Sequence, residues 1–226
     1  MSERIAIVVG AGGELGRATA AALAGTGYTV TAVDRSEQGL KELADGIRRV
    51  VGDATDPAAA KSLVDQIAAE SGPPEVLVNT IGMFRLGDAI ATTPDDLRVL
   101  MDVNLGAALW LSQAVEPYMR QQGKGSIVHV SARPATDPTA GMAAYGLSKA
   151  ALSHLVGILD LELHPHGIRV NAVAPQLIDT AANRASFPAE LLAHATAPEA
   201  IANVIAFLAG DLAAPVSGAI VPAYGA

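Results

Sequence analysis

Ile5-Ala6-Ile7-Val8-Val9-Gly10-Ala11-Gly12-Gly13-Glu14-Leu15-Gly16 is the stretch on which the reading of this chain turns. Its first five residues form an unbroken apolar run, the pattern of a strand covered on both faces in a parallel sheet. The run breaks into glycines, which lead into the alanine-rich, helix-favouring segment Arg17 to Ala24. A strand, a glycine loop and a helix start in that order make a phosphate site. Glycines let the backbone approach a pyrophosphate, and the free amides and dipole of the helix favour its charge.

Working outward, Tyr28 to Val33 is predicted to be a second strand ending on Asp34, 18 residues after Gly16. A carboxylate at that place can accept a hydrogen bond from a ribose 2′-hydroxyl, whereas a 2′-phosphate would meet a like charge. NAD is therefore favoured over NADP. Arg35 can turn toward a phosphate and keeps NADP possible. The plainer reading of Asp34 is a turn or cap residue before Ser36. Gly39 to Asp45 is predicted as a short helix and Ile47 to Val51 as a third strand, with Asp53 placed to contact the adenine amino group. Asp56-Pro57 reads as a helix cap with proline at the first position.

Val76 to Asn79 reads as the fourth strand, leading to Thr80-Ile81-Gly82. Asp95 to Met119 reads as one long helix carrying Asn104 among apolar neighbours, where a buried amide must find partners. Ser126 to Val130, Arg169 to Val173 and Gly218 to Val221 complete the strands, and Tyr145 to His164 and Pro198 to Leu208 the helices. Strands alternating with helices imply right-handed βαβ units. The expected fold is thus α/β, a Rossmann-type doubly wound parallel sheet of about seven strands with helices on both faces, in a single domain over 1–226. The helix from Tyr145 has so little polar surface that burial in a subunit interface is expected.

The chain has 226 residues, 50% of them apolar, with a mean hydropathy of +0.34. That suits one globular domain with a sizeable core and excludes a disordered chain. Fifteen basic residues against 23 acidic ones give a formal net charge of -8, with no basic block. This argues against nucleic acid and against an anionic membrane surface as partners. The absence of cysteine excludes disulfides, thiolate catalysis and cysteine-ligated metals. His164-Pro165-His166 resembles a metal pair but lacks a third ligand, so no metal is assigned. Met1-Ser2-Glu3-Arg4 runs straight into the first strand without a signal-peptide region, and no apolar run approaches a membrane span. A cytoplasmic protein is expected.

The chemistry is placed in Ala144-Tyr145-Gly146-Leu147-Ser148-Lys149. On a helix, Tyr145 and Lys149 leave the same face one turn apart. A phenol has an unperturbed pKa of roughly 10. A nearby ammonium favours the phenolate, lowers that pKa and makes proton exchange with a substrate oxygen practical. Alone, the pair more often marks a half-buried helix face. The order of motifs around it is what gives it weight.

These residues together resemble the short-chain dehydrogenase/reductase family over essentially the whole chain. The resemblance rests on the glycine loop, Asp34, Asp53, Asn79-Thr80-Ile81-Gly82 in place of the family's N-N-A-G, Asn104, Ser131, the Tyr145/Lys149 pair, and Asn171-Ala172-Val173-Ala174-Pro175 followed by Thr180. It implies a homotetramer or homodimer that reduces carbonyls or oxidises alcohols with a nicotinamide cofactor. By position, Tyr145 would be the general acid and Lys149 would hold the nicotinamide ribose. Asn104 would hold a relay water, and Thr180 with the backbone after Pro175 would bind the carboxamide. The cofactor would lie along Gly10, Gly12, Gly13, Glu14, Leu15 and Gly16, then Asp34, Arg35, Asp53 and Ala54. Beyond these come Asn79, Ile81 and Gly82, and lastly Pro175, Ile178 and Thr180.

Three departures stand out. Glu14 takes the place of a family glycine, Gln176 follows Pro175, and Ala132 falls where the substrate-orienting serine is expected. Either Ser131 serves through a one-residue shift, or no hydroxyl does. The dihydropteridine reductase branch is similar in lacking that serine, in a non-glycine loop residue, and in a Gly-Met pair like Gly141-Met142. Residues 180–198 stand where the family has a substrate lid. Met83, Phe84, Met142, Gln176 and Phe187 are candidate walls or plain core filler; Arg85 and Arg133 could meet an acidic substrate, though surface ion pairs are the better reading. A small carbonyl or alcohol substrate is expected. The alternative is a catalytically impaired dinucleotide-binding protein serving as a redox sensor or partner subunit.

Overall fold

The computed structural model describes residues 3–225. Seven strands form one sheet: β1 (Ile5–Val9), β2 (Thr29–Asp34), β3 (Arg48–Val51), β4 (Pro74–Asn79), β5 (Gly125–Val130), β6 (Ile168–Pro175) and β7 (Ile220–Ala223). Their order is β3-β2-β1-β4-β5-β6-β7 and every neighbouring pair is parallel. Winding starts at β1 and proceeds outward in both directions. A crevice therefore opens at the carboxyl ends between β1 and β4, where the chain reverses its direction of travel across the sheet.

The helices are α1 (Glu14–Gly25), α2 (Glu37–Leu40), α3 (Pro57–Ser71), α4 (Pro94–Met101), α5 (Ala107–Gln122), α6 (Ala143–Leu163), α7 (Ala181–Ser186), α8 (Ala189–Leu192) and α9 (Pro198–Ala209). Alternation along β1 divides the core. Ala6 and Val8 face α1 and α9 with Leu15, Leu23, Ile201 and Ile205, while Ile7 and Val9 face α3, α5 and α6 with Val64, Leu111, Val115 and Val156. Both clusters are closed to water, and burial of each large side chain contributes about 1.5–3 kcal/mol.

Three elements differ from the pattern in the sequence. Ser36 Oγ accepts from the Gly39 amide at 3.1 Å, so α2 begins before Gly39 and gives way to turns after Leu40. The long helix expected from Asp95 is interrupted by a π-helical turn over Asp102–Gly106, closed by the Ala107 amide on the Asp102 carbonyl. Such wide turns mark places where a helix re-aims one residue, and here that residue is Asn104. β7 starts at Ile220 because Gly218, with φ +71, still belongs to the preceding turn. The cap expected at Asp56-Pro57 forms, with Asp56 Oδ1 accepting from the Ala59 amide at 2.9 Å.

Candidate active site

The glycine loop is a backbone surface pressed against its neighbours. Gly10 has φ +84, and a Cβ there would lie 2.6 Å from Thr80 Oγ1 and 2.9 Å from the Ile81 nitrogen. A Cβ on Gly16 would collide with the Gly10 carbonyl and come within 2.7 Å of the Ala11 Cα. No side chain caps α1, whose N-cap is Gly13, so its first amides stay free for an anion. Asp34 sits beside the loop at the end of β2, with Oδ2 accepting from the Gly12 amide at 2.9 Å and Oδ1 from the Ser36 amide at 2.8 Å. The turn reading and the ribose reading of Asp34 are therefore compatible, since each carboxylate oxygen keeps a second lone pair. Further along this edge, Asp53 Oδ1 accepts from the Thr55 amide and hydroxyl, which holds its carboxyl below the usual range with help from Arg35. Ala54 behind it is buried.

Across the crevice, Asn79 is buried and its Oδ1 accepts from the Ile81 amide at 3.0 Å. Asn104 Oδ1 accepts from the Met83 amide at 2.8 Å, and its Nδ2 donates to the Met83 carbonyl at 3.0 Å and to Ser148 Oγ at 2.9 Å. The amide thus ties the π-helical turn to the loop after β4 and to α6. A Cβ on Gly82 would lie 3.4 Å from Lys149 Nζ and 3.5 Å from Asn104 Oδ1. That brings three sequence-distant groups to one spot.

Tyr145 and Lys149 share the first turns of α6 and both line the same crevice as the glycine loop. Lys149 is only 2% exposed, and its Nζ donates to the Val130 carbonyl at 2.8 Å. Burial lowers its pKa to about 8. The lowered phenol expected from the spacing is not seen: burial pushes Tyr145 up to about 12. Both groups are removed from water, and desolvation favours the neutral form of each. The consequence at neutral pH is a fully protonated phenol one turn from a buried ammonium.

At Ser131 the structure bears on the two readings left open. Its Oγ shares a hydrogen bond of 2.7 Å with Ser153 Oγ and donates to the Lys149 carbonyl at 3.3 Å, so the hydroxyl is turned into α6. The one-residue shift does not occur. Ser131 keeps the β5 alternation, its amide donating to the Val173 carbonyl at 2.8 Å, and leaves the methyl of Ala132 as the next side chain. His129, two residues earlier, is a group the sequence reading passed over. Ser112 Oγ donates to the Ala108 carbonyl, so His129 Nε2 carries the hydrogen in its 3.1 Å contact with Ser112. Burial, with the charge of Lys149, pushes His129 down to about 3. Polar residues at 129 and 131 in an apolar strand were the available signal.

The remaining wall comes from the chain after β6. Pro175, Ile178 and Thr180 line the crevice, and Thr180 caps α7 by accepting from the Asn183 amide at 3.2 Å. Residues 181–192 carry α7 and α8, and Ile178 pairs with Thr196 to close the excursion. Glu14 reaches this segment. Its Oε1 accepts from the Ala181 amide at 2.7 Å and its Oε2 lies 3.7 Å from Arg184. The side chain that disagreed with a phosphate site thus points away from the loop. All five candidate walls line the crevice, and Phe84 stands edge-on to Tyr145, ring centroids 4.9 Å apart at 84°. The crevice encloses about 680 Å³. Arg85 pairs with Asp96 and Arg133 with Asp137, as the surface reading had it.

A doubly wound sheet with a glycine-cradled helix N-terminus and a tyrosine–lysine pair over its switch point defines an oxidoreductase scaffold. Comparison with known proteins agrees. The family model for short chain dehydrogenases matches residues 4–191. Galactitol 2-dehydrogenase from Rhizobium johnstonii is 35% identical over 96% of this chain and 91% of its own length. The 3-oxoacyl-[acyl-carrier-protein] reductase of Escherichia coli is 33% identical, over 95% and 93%. Among solved structures, the aldohexose dehydrogenase of Thermoplasma acidophilum superposes with a TM-score of 0.88 at 28% identity, covering 97% of this chain and 92% of that one. The chain belongs to the short-chain dehydrogenase/reductase family, whose members are NAD(P)-using oxidoreductases acting on small molecules. No helix among the described residues is long and apolar enough to cross a membrane.

Proposed function

We propose that this protein moves a hydride between NAD(H) and a small carbonyl or secondary alcohol, with Tyr145 as the proton donor and acceptor. The observation that supports the reading is that Tyr145, Lys149 and Gly82 line the same crevice as the glycine loop. The residues present suit a dinucleotide. Side chains would fill the places left by Gly10 and Gly16, the α1 amides are uncapped, and Asp34 ends β2 with a carboxylate that disfavours a 2′-phosphate.

When bound, the nicotinamide supplies or takes up the hydride. The protein does the rest. Tyr145 Oη would give its proton to the carbonyl oxygen as the hydride, one proton with two electrons, reaches the carbonyl carbon, so that the C–O π bond is replaced by C–H and O–H bonds. Lys149, charged below about pH 8, stabilises the phenolate left behind and holds the ribose hydroxyls. Asn104 keeps the Met83 backbone and Ser148 in register with α6. Residues 180–198 act as a lid, tied to the loop through Glu14 and Ala181. Leu147, Ile158 and Leu161 leave an apolar stripe exposed on α6, which supports assembly through that helix into a homodimer or homotetramer.

Tyr145→Phe is expected to lower kcat by at least roughly 10³ while NADH Kd changes less than twofold, as for an interaction made only in the transition state. Fluorescence titration of the same samples should show tighter binding of NADH than NADPH. Full turnover in the variant sinks the assignment. A second reading, a nucleotide-binding sensor, is favoured by one fact: the Ser131 hydroxyl is consumed by Ser153. NADH binding without oxidation across ketones, quinones and imines would establish it.

A further inference from the structure

The substrate end of the crevice is separable from the nucleotide end by what its side chains offer. Phe84 presents its face or edge to Tyr145, and Phe187 lies 5.7 Å from Phe84 at 46°. Met83, Met142, Leu191 and Pro134 complete this pocket. The charged residues lining the crevice among the described residues are Glu14, Arg133, Asp137 and Lys149, two of each sign. Among the described residues Lys149 has no carboxylate partner, but it is buried with its Nζ on the Val130 carbonyl at 2.8 Å, and the arginines are paired. Arg133 donates to Asp137 at 2.8 Å and to Gln176 at 2.8 Å, and lies 5.0 Å over the Tyr224 ring. Arg184, at the rim, donates to Asp179 at 2.6 Å. Arg85 donates to Asp96 at 2.8 Å.

Several of the neutral polar atoms are already engaged. Asn183 Nδ2 donates to the Ile178 carbonyl at 2.8 Å, Gln176 Oε1 is taken by Arg133, and Thr139 Oγ1 donates to the Asp137 carbonyl at 3.1 Å. A carboxylate or phosphate held against Phe84 and Phe187 would lose hydration and find only arginines already paired with Asp137, Asp179 and Asp96. A polyol would lose several water bonds for few replacements, and desolvated groups left unpaired are costly. An aromatic or alicyclic ring instead finds two aromatic rings and sulfur-bearing side chains, contacts favourable beyond their area alone.

We infer that the substrate is an uncharged ketone, or the matching secondary alcohol, bearing a flat apolar ring packed against the joint surface of Phe84 and Phe187, whose own rings are in contact. This rests on the hydride-transfer reading above. The test compares 1-phenyl-2-propanone, phenylpyruvate and fructose with NADH at fixed protein concentration. Beside it, thermal shifts are measured with NADH plus each compound, so that binding is read without turnover. The expected result is kcat/KM for the phenyl ketone at least about 100-fold above the other two, and a thermal shift for it alone. Phe187→Ala, which removes a ring not in contact with Tyr145, should raise KM for the phenyl ketone about tenfold with kcat nearly unchanged. Phe84→Leu, keeping apolar volume, should give a smaller rise in KM. Preference for phenylpyruvate or fructose, equal rates on all three, or a KM indifferent to Phe187→Ala overturns the inference while hydride transfer stands. Failure of every carbonyl to oxidise NADH, together with no thermal shift from the phenyl ketone, overturns both.

Discussion

The two ends of the crevice are built by different means. At the nucleotide end the backbone makes the surface: Gly10 and Gly16 bring main chain against main chain, Gly12 lies against the Asp34 carboxylate, and Asp34 is held by two backbone amides. At the substrate end side chains make it: Phe84, Tyr145 and Phe187 come from the loop after β4, from α6 and from the segment after α7. The backbone end has no room for a side chain at Gly10, Gly12 or Gly16 and specifies a ligand by shape. The side-chain end is assembled from distant segments and specifies by chemistry, so it can change while the fold stays.

The contrast breaks most sharply at Gly16. A Cβ there meets the Gly10 carbonyl and the Ala11 Cα, which are backbone atoms that cannot turn away. Overpacking of this kind costs about 1–3 kcal/mol, so Gly16→Val is expected to weaken NADH binding by roughly 10–100-fold, read by fluorescence titration. A variant that binds NADH normally would show the loop to be less tight than its geometry. No single substitution at Phe187 should approach this effect on the nucleotide.

Lys149 belongs to both ends and sharpens the comparison through pH. Its folded pKa of about 8 is below the 10.5 of the free side chain, so between these values the unfolded chain binds more protons. Stability should therefore rise from pH 7.5 to 9.5, by up to a few kcal/mol from a shift of this size. In Lys149→Met the rise should disappear. At pH 7 the variant escapes the desolvation cost but leaves the Val130 carbonyl unpaired, a loss of about 1–3 kcal/mol, so the net gain should be near 1 kcal/mol. That corresponds to about 2–4 °C in Tm. Carbonyl reduction by the native protein should decline as pH rises through about 8, when the ammonium beside the phenol is lost. Denaturant titrations and a kcat/KM profile check these points, and a flat stability profile in the native protein would contradict them.

The smallest effect falls on the tie between the two ends. Glu14→Gln keeps an oxygen to accept from the Ala181 amide but removes the charge facing Arg184 and so lessens the negative charge at the entrance to the loop. Exposed ion pairs contribute about 0–1 kcal/mol, so NADH should bind up to about fivefold tighter, with the gain shrinking at high salt.

How much was legible followed chain distance. The apolar run into Gly10, the cap at Asp56-Pro57 and the carboxylate closing β2 are patterns of adjacent residues, and each appears where the sequence put it. The π-helical turn at Asn104 was hidden because its cause lies outside the helix, in the Met83 backbone and Ser148. Between the two readings left open at Ser131 the sequence could not choose for the same reason: Ser153, 22 residues on, shares its hydroxyl.

From sequence alone came the α/β order, the nucleotide-type loop and the list of groups able to exchange a proton, because local spacing dictates which residues share a strand end or a helix face. The tertiary structure decided where those groups point. Lys149 turned to the Val130 carbonyl, Glu14 crossed to Ala181, and Phe84 settled on Tyr145. Each choice is a contest among partners brought together only by the winding of the sheet, and no spacing along the chain records which partner wins.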